Sequence, residues 1–512
     1  MNTMKNKLRS IFKYVAISSF VMSSCLPASA QSSIVLDQNN VSAPLSDDGT
    51  FFTDLGSSSA GYEVPKGGGV SAIYQLGFLY GGVDVNGQLK MAIGPSGGDL
   101  FPGPATVGAA TGATPGQWPS SFAAVSRDEI ELHIQNYNQA GYVIPPSILN
   151  WPAHGDVSNG FDYYLAPFVD IDQDGNYDPS NGDYPCIKGD KAVYIVMNDK
   201  SNVHSSGSEP IGMEVHYMFY QYEGLGDLDN TTFLETKMIN RGTQTLFDFK
   251  SSAFLDIDLG NPFDDYVGTD SSRNLVYGYN ADAFDETSLG SSGYGTPVPA
   301  IGIMTLDRAL ESGGKVESTP STVVQYYNLM NASSISGVPW PTNYLYHGNP
   351  YLVTGETEYE MGNPPGDRRA IATVDHATLV PNAEHVTTYA ILYAEGTDHL
   401  ESVNQLYTVA DVIQNFFDTL STTCLGATAG LNESTDLQAL VYPNPSKGSF
   451  VVKFDHTVLN GSLSVHDLSG RIIHHEVVNG NEVQLNIVES SGVYFLHFEE
   501  NGRFGMQKLV IE

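Results

Sequence analysis

The chain has 512 residues and carries 58 Asp and Glu residues against 23 Lys and Arg residues, which gives a formal net charge of −35. A surface of this charge repels nucleic acid and anionic lipid, so it excludes a nucleic-acid-binding role; it either attracts divalent cations or simply keeps an exported protein soluble. Only 16% of the residues are charged, while Gly (52) and Tyr (29) are plentiful, which is typical of a β-rich, loop-rich extracellular protein.

Residues 1–30 are predicted to be a signal peptide. Four basic residues near the N-terminus precede an apolar run from Tyr14 to Met22, and the small residues of LPASA end at Ala30. The alternative is a lipoprotein anchor at Cys25, although VMSSC is a poor lipidation sequence. No later stretch reaches the roughly 20 apolar residues of a membrane-spanning helix, so the sequence predicts no transmembrane segment.

Residues 31–423 are predicted to form a mainly β body: a large antiparallel β-sandwich with long loops and a few helices, as one large lobe or two packed lobes. Stretches such as KAVYIVMND and HVTTYAILYAEG look like strands and are separated by Gly, Asn and Asp turns. One predicted helix runs from an N-cap at Ser126 to a closing Gly141. The other covers 399–420, where apolar residues recur at three- and four-residue steps.

The stretch from residue 168 to residue 185, FVDIDQDGNYDPSNGDYP, has the spacing of a cation-binding loop. Asp170, Asp172 and Asp174 alternate and Gly175 follows at once. A single tight turn therefore presents three carboxylates at the first, third and fifth positions of a D-x-D-x-D-G loop. Ca²⁺ takes about 6–8 oxygen ligands, so three carboxylates from one turn are a good start for a Ca²⁺ site.

The remainder of this loop departs from an EF-hand. Asn176 offers its carbonyl and Asp178 stands at position nine, but Asn181 occupies position twelve, where an EF-hand has a bidentate Glu; Asp183 lies near enough to replace it. The preceding YYLAPFV is strand-like. We therefore expect a structural Ca²⁺ loop between β elements, the alternative being an acidic turn without metal. The predicted ligands are Asp170, Asp172, Asp174, Asn176, Asp178 and Asp183.

A second acidic stretch reads DIDLGNPFDDYVGTD. Asp256 and Asp258 share one strand face because side chains alternate with a period of two, and Asp264 and Asp265 return after a Pro-containing turn. These residues predict either a second cation site or the paired carboxylates of a glycosidase, which face a cleft about 5–10 Å apart. A solvated loop is the third explanation, so no catalytic residue is assigned.

Cys186 and Cys424 are the cysteines that follow the leader. An oxidising destination permits one disulfide between them, and the sequence leaves open whether they meet. There is no CxxC and no Cys/His zinc spacing, so neither a thiol redox site nor a zinc finger is predicted.

The aromatic residues allow two interpretations. Trp118, Trp151 and Trp340, with many Tyr residues, either line a carbohydrate platform or pack in the core of the sandwich. Glu214 and His216 share one face of a predicted strand, but without an HExxH motif they are expected to be packed residues rather than zinc ligands.

The last part of the chain has a different pattern. Residues 424–438 are a predicted polar linker, and residues 439–512 contain short alternating strands with Gly turns, which predict a small Ig-like β-sandwich. A YPNP turn is followed by Gly448 and Phe450, then by VHDLSGR, SGVYFL and KLVIE.

These motifs, in this order, resemble the type A C-terminal sorting domain of cargo for the type IX secretion system of Bacteroidota. The resemblance implies Sec export, folding in the periplasm, and passage through the outer membrane by the type IX machinery. In that family the domain is often removed as cargo is released or joined to surface lipopolysaccharide. Stretches such as WPAHGD and DYPCIKGDKAVY make the body similar to large uncharacterised secreted proteins of the same bacteria, which implies no activity.

Together these features predict a secreted or cell-surface, calcium-stabilised β-sandwich protein with a binding or structural role. Its expected partners are the type IX machinery and a carbohydrate or other surface ligand. The alternative is a secreted hydrolase acting on polysaccharide through carboxylates such as Asp256, Asp258, Asp264 or Asp265. A hydrolase requires two of these carboxylates to converge in a pocket, with at least one pKa raised by burial. The sequence leaves enzymatic activity undecided.

Overall fold

The computed structural model describes residues 32–95, 98–108, 111–114, 117–118, 121–224, 226–288, 290–419, 439–466, 472–487, 492–500 and 503–511. The predicted leader (1–30), the predicted linker (424–438) and Cys424 lie outside these residues. Cys186 is disulfide-bonded, and its partner also lies outside them.

The first part of the body consists of twelve strands, of which only β7 is long. They are β1 (Ser33–Leu36), β2 (Ala43–Ser46), β3 (Thr50–Phe51), β4 (Thr53–Asp54), β5 (Ser59–Ala60), β6 (Tyr62–Glu63), β7 (Ser71–Val83), β8 (Leu89–Ile93), β9 (Phe101–Pro102), β10 (Ala123–Ser126), β11 (Phe168–Val169) and β12 (Tyr184–Pro185).

The strands that follow are mostly longer and complete the body. They are β13 (Lys191–Asn198), β14 (Met213–Gln221), β15 (Thr232–Asn240), β16 (Leu246–Ile257), β17 (Asp265–Asp270), β18 (Leu275–Asn280), β19 (Pro299–Thr305), β20 (Ser312–Val316), β21 (Arg368–Leu379) and β22 (Glu384–Glu395).

Helices are few. The α-helices of the body are α1 (Arg127–Asn136), α2 (Pro146–Leu149), α3 (Val323–Met330) and α4 (His399–Thr419). Short 3₁₀ helices cover Val157–Asn159, Pro179–Asn181 and Gly226–Asn230. None of the helices in the described part of the chain is both long and apolar enough to cross a bilayer.

Both helices predicted from the sequence are confirmed, with one corrected end. Ser126 caps α1 in a capping box with Glu129, as its position before an acidic first turn requires. The helix stops at Asn136, and the backbone N–H of Tyr137 closes it on His133. Gly141, the predicted closing residue, lies in the next turn at φ +89°. Asn has a low helix propensity, which favours the earlier stop.

Two antiparallel sheets form the sandwich. The nine-stranded sheet has the order β10–β13–β14–β15–β22–β19–β18–β17, with β9 beside β13. The seven-stranded sheet has the order β20–β21–β16–β7–β3, with β6 and β8 also paired to β7. The predicted mainly β, antiparallel body is therefore confirmed.

Aromatic side chains join the two sheets. Phe78 of β7 lies with its ring centre 5.8 Å from that of Tyr217 on β14 and 5.3 Å from that of Tyr389 on β22. Phe51 of β3 makes an edge contact with Phe219 of β14 at 4.7 Å. These residues are fully buried, so the core lies between the sheets.

Helices cover the outer faces of both sheets. On the nine-stranded sheet, the hydroxyl of Tyr407 on α4 lies 2.8 Å from that of Tyr277 on β18. On the seven-stranded sheet, Tyr326 of α3 packs against Phe254 of β16 at 6.2 Å. Central strands are thus covered on both faces, which is why all nine residues of β14 are buried.

The C-terminal domain is also β, as predicted. Its strands are β23 (Ala439–Tyr442), β24 (Ser449–His466), β25 (Ile472–Asn486), β26 (Gly492–Glu500) and β27 (Arg503–Ile511). The expectation of uniformly short strands is wrong, because β24 has 18 residues and β25 has 15. Register shifts between these two strands mark bulges, which bend long strands around one core. That core includes Phe450, Leu463, Leu485, Leu496 and Leu509.

The aromatic core predicts a large penalty for truncation at Phe78. Because Phe78 is 0% exposed and contacts both sheets, Phe78→Ala should lower the free energy of unfolding by about 3–5 kcal/mol. Urea denaturation measures this change. Phe284→Ala is the matched control, since Phe284 is 53% exposed and its loss should cost less than about 0.5 kcal/mol. Equal effects of the two substitutions would contradict this account of the core.

Candidate metal centres

A small antiparallel ladder holds the first acidic loop. Phe168 pairs with Pro185 and Val169 with Tyr184, so β11 and β12 close the segment between them. Strands, not helices, therefore flank the loop. The predicted placement between β elements is confirmed, and the EF-hand arrangement is absent from this part of the described chain.

Within the loop, three carboxylates converge. Asp170, Asp172 and Asp174 each present an oxygen within 4.8 Å of the others. Asp170 accepts hydrogen bonds from the backbone N–H groups of Gln173 (2.7 Å) and Gly175 (2.8 Å), which curl the chain around it. Gly175 has φ +81°, a conformation that favours glycine, so the turn requires this residue.

Asn181 links Asp178 to the three converging carboxylates. The Asn181 amide donates to Asp178 Oδ2 (2.8 Å) and to Asp172 Oδ2 (3.2 Å), so the two carboxylates share one donor. Asp178 Oδ1 is buried and has no hydrogen-bond donor among the described residues. Asn176, the remaining predicted ligand on this side, accepts a hydrogen bond from Tyr163 through its side-chain oxygen.

Asp183 closes the loop from the far side. The residue is 0% exposed; its Oδ1 accepts from Ile171 N–H (2.8 Å) and its Oδ2 from Asp178 N–H (2.9 Å). Burial raises the pKa of this carboxyl, against the effect of those two hydrogen bonds. Asp183 thus connects the start of the loop at Ile171 to its later part at Asp178. Its role as a metal ligand stays a prediction.

The second acidic stretch forms a different group from the four residues expected. Asp256 and Asp258 lie together, and Asp367 joins them, with one carboxylate oxygen of each within 4.8 Å of the others. Arg369 pairs with Asp256 (3.2 Å) and with Asp367 (3.1 Å). The pairing of β16 with β21 places Asp367 and Arg369 near Asp256, because Arg369 is the residue opposite Asp256 in the ladder.

Asp264 and Asp265 belong to a neighbouring group with Asp285. Asp265 is 0% exposed; one oxygen accepts from Leu259 N–H (3.2 Å) and the other has no donor among the described residues. Asp264 accepts from the Asn261 amide at 2.8 Å. Burial raises the pKa of Asp264 and Asp285 to about 6, and it raises the pKa of Asp265 well above the usual range of a carboxyl.

Burial also raises the pKa of Asp256 to about 6 and that of Asp258 to about 7, the latter with help from the charge of Asp256. Asp258 lines an open cleft of about 440 Å³ with polar residues such as Glu63. Asp256 is only 8% exposed and is ion-paired, so its charge is committed to Arg369. The carboxylates lie close enough for hydrolytic chemistry, but Asp256 is not presented to a substrate.

Glu214 and His216 form a satisfied buried network instead of a metal site. Glu214 Oε1 accepts from His216 Nε2 (2.8 Å) and from Arg241 (2.7 Å), and its Oε2 accepts from Ala105 N–H (2.9 Å). Burial alone would raise the pKa of Glu214, but His216 and Arg241 together lower it to about 2. The expectation that these residues have a packing role agrees with this geometry.

Residues 440–512 match the sequence profile of the family described as the secretion system C-terminal sorting domain. The chain is a cargo of the type IX secretion system, directed to the outer cell surface or the medium. No curated protein matches the chain at the level of sequence.

Solved structures show only distant similarity. A polysaccharide lyase is 11% identical at a TM-score of 0.20, covering 68% of this chain and 37% of its own. The heparan sulfate lyase HepC of Pedobacter heparinus is 8% identical at 0.19, covering 83% and 36%. PorZ, a surface component of the type IX secretion system of Porphyromonas gingivalis, is 11% identical at 0.14, covering 71% and 46%. Similarities this weak carry no structural or functional conclusion.

The raised pKa values predict a pH-dependent stability in the presence of EDTA. A carboxyl whose pKa is higher in the folded state stabilises the fold while it holds its proton, and that contribution is lost as the pH rises through the folded pKa. The contribution of these carboxyls to the melting temperature should therefore fall from about pH 4 to about pH 8.

Asp258→Asn removes one of these charges, so it should raise the melting temperature at about pH 8 and change it little at about pH 4, near the unfolded pKa. Differential scanning fluorimetry measures both. Glu317→Gln, at an exposed position, serves as the control and should leave the profile unchanged. A wild-type profile for Asp258→Asn would contradict the assignment of charge repulsion to this cluster.

The sorting domain predicts that export depends on the last strand. Deleting Lys508–Glu512 removes Leu509 and Ile511, which are 0% and 5% exposed in the domain core. The truncated chain should remain inside the cell, as shown by immunoblotting of cell and medium fractions. Val477→Ala, at a 64% exposed site in the same domain, should be exported normally. Unchanged export of the truncated chain would overturn the role of this strand.

Proposed function

We propose that the body is a calcium-stabilised β-sandwich with a binding or structural role at the cell surface or in the medium. The observation that carries this proposal is the convergence of Asp170, Asp172 and Asp174 within 4.8 Å of one another. The stretch 168–185 contains five Asp residues and no Lys or Arg, so its own sequence provides nothing to offset their charge.

The donor set suits Ca²⁺ in particular. Every candidate ligand is an oxygen. Asp178 shares the Asn181 amide with Asp172 through Oδ2, and its buried Oδ1 is an acceptor without a donor among the described residues. Ca²⁺ accepts irregular sets of about 6–8 oxygens, whereas Mg²⁺ demands a near-ideal octahedron and retains several waters. A loop with unevenly spaced carboxylates and open solvent positions therefore favours Ca²⁺.

A bound cation would give the loop the order that its few packed side chains cannot supply. Fixing each backbone residue costs about 1–2 kcal/mol of conformational entropy. Asp172 and Asp174 are exposed, and β11 and β12 contribute only two residues each to the closing ladder. The cation would offset this cost by cross-linking side chains that otherwise repel one another.

The polysaccharide-hydrolase alternative has weaker support in the geometry. Its required pair would come from the group of Asp256, Asp258 and Asp367, but Arg369 forms ion pairs with two of these three residues. A binding or structural role needs no such pair of carboxylates. Such a role also agrees with export to the cell surface or the medium.

Calcium titration of the full chain tests the proposal. Isothermal titration calorimetry should detect Ca²⁺ binding, and the melting temperature should rise with Ca²⁺ concentration as mass action requires. Asp172→Asn and Asp174→Asn should each weaken Ca²⁺ binding by about tenfold or more, since each removes one charged ligand. Glu131→Gln, which removes an exposed charge on α1, should bind Ca²⁺ like the wild type. An absence of binding, or equal behaviour of all variants, would overturn the proposal.

A further inference from the structure

A cavity of about 730 Å³ lies against the outer face of the nine-stranded sheet at its β10 edge. Its floor is formed by β10 and β13. One wall is α2 with the residues that follow it, and a second wall is the segment 154–161. Trp118 and Ser121, which precede β10 in the chain, complete the lining. The volume is within the range of about 300–1,000 Å³ that small-ligand sites occupy.

Aromatic rings dominate the lining. Trp151, Phe161 and Tyr194 are each at most 4% exposed and form a rigid base, in which Trp151 packs on Tyr194 at 5.6 Å. Trp118 and Phe122 are only partly buried and present accessible rings. Two of the three Trp residues of the chain therefore meet in one cavity, although they are far apart in sequence.

Uncharged polar groups stand between these rings. Gln117, Ser121 and Asn150 line the same cavity, and Gln117 and Asn150 are exposed. Gln117 already bonds to Thr114 and Asn159, and the Ser121 hydroxyl donates to Asp47. The Asn150 amide is therefore the group that an entirely apolar ligand would bury without a hydrogen-bond partner, which is costly. A sugar ring instead offers an apolar face to an aromatic side chain and hydroxyls to amides around it.

The charge around the cavity selects against anionic ligands. No Lys or Arg occurs among the described residues that line it, whereas Asp156 lies exposed in one wall. Behind the other wall, Glu129 accepts a hydrogen bond from the Ser147 hydroxyl at 2.8 Å. With a net charge of −35 on the whole chain, a neutral glycan is favoured over a uronate or sulfated one.

Tyr177 of the first acidic loop connects both walls of this cavity. Its hydroxyl donates to the carbonyl of Ile148 in α2 at 2.7 Å. Its backbone N–H donates to His154 Nε2 at 2.8 Å. Tyr177 directly precedes Asp178, so the acidic loop fixes α2 and His154, which belong to the two walls, relative to one another.

Neighbouring residues of the loop reinforce the connection. Tyr163 stacks on His154 with ring centres 4.0 Å apart, and its hydroxyl donates to Asn176 of the loop. His154 Nδ1–H donates to the Tyr163 carbonyl at 3.1 Å, so both imidazole nitrogens have structural partners. The Tyr164 hydroxyl donates to the Gly175 carbonyl at 3.2 Å. The wall that contains His154 is thus attached to the loop at three successive residues, 175–177.

From these contacts we propose that the cavity beside Trp118 and Trp151 binds a neutral oligosaccharide, and that Ca²⁺ in the Asp170–Asp178 loop supports this binding by fixing both cavity walls through Tyr177. The second half of the proposal rests on the calcium site of the proposed function. In this arrangement Ca²⁺ does not contact the sugar; it acts at a distance through the loop backbone.

The first test measures sugar binding to the full chain by isothermal titration calorimetry in the presence of Ca²⁺. The probes are cellohexaose, xylohexaose, laminarihexaose and mannohexaose, with hexagalacturonate as the anionic comparison. At least one neutral hexaose should bind, and Trp118→Ala should weaken its binding by about tenfold or more because a central aromatic anchor is lost. Trp340→Ala is the matched control, since Trp340 packs against the separate cluster beneath α3.

Three outcomes would overturn the assignment of the cavity. They are no binding of any of the four neutral probes, an equal loss of affinity in both Trp variants, and tighter binding of hexagalacturonate than of every neutral probe. Retained binding in Trp340→Ala together with loss in Trp118→Ala would support it.

The second test separates the cavity from the calcium site. Tyr177→Phe removes the hydrogen bond to Ile148 but none of the carboxylates, so it should weaken sugar binding by about three- to tenfold and leave Ca²⁺ affinity unchanged. EDTA and Asp172→Asn should weaken sugar binding as well. If sugar binds equally well in EDTA while Ca²⁺ still raises the melting temperature, the coupling is wrong and the proposed function stands.

If Ca²⁺ fails to bind the sugar-free chain, both the proposed function and the coupling are wrong. The cavity is then judged by the two Trp variants alone, whose result does not depend on the metal.

Discussion

The constraint on which much of this molecule depends is carboxylate charge that the chain cannot offset with its own cations. With 58 acidic and 23 basic residues, most acids have no Lys or Arg to pair with. In the first acidic loop the consequence is local: the donors to Asp170, Asp172 and Asp174 are backbone N–H groups and the side chains of Asn176 and Asn181, none of which carries a positive charge. The order of this loop, and with it the separation of the cavity walls, follows from whatever neutralises those charges.

Some of the few basic residues pair with acids in the interior, where an uncompensated charge is most costly. Glu214 is fully buried and has Arg241 at 2.7 Å; Glu358 is also fully buried and has Lys315 at 2.6 Å and Arg368 at 3.0 Å. Leaving a buried charge unpaired costs several kcal/mol, whereas exposed pairs contribute about 0–1 kcal/mol. The acidic loop, with Asp172 and Asp174 exposed to solvent, can therefore be left to a cation from outside, whereas Glu214 and Glu358 cannot.

Local patterns in the sequence predict the local features well. The D-x-D-x-D-G spacing places three carboxylates on one turn, and the acidic first turn after Ser126 marks the start of α1. Helix α3 is missed because VVQYYNLM is rich in β-branched and aromatic residues, which favour strands; the Thr322 cap is the signal that identifies it. Asp367 joins Asp256 only through the pairing of β16 with β21, and Trp118 meets Trp151 only through the fold. Such contacts depend on sheet order, which periodicity in one segment does not encode.

The Ca²⁺ affinity expected of the proposed site agrees with an extracellular location of the protein. Ligand charge and site rigidity set Ca²⁺ affinity, and extracellular modules bind at about 10⁻⁴–10⁻³ M. A loop closed by two short strands, with two of its three converging carboxylates exposed, belongs at the weak end of that scale. On this proposal the loop stays empty where Ca²⁺ is scarce and fills only where it is abundant. Because Tyr177 passes the order of the loop to α2 and His154, the cavity would acquire its binding geometry at the destination of the cargo rather than during its export.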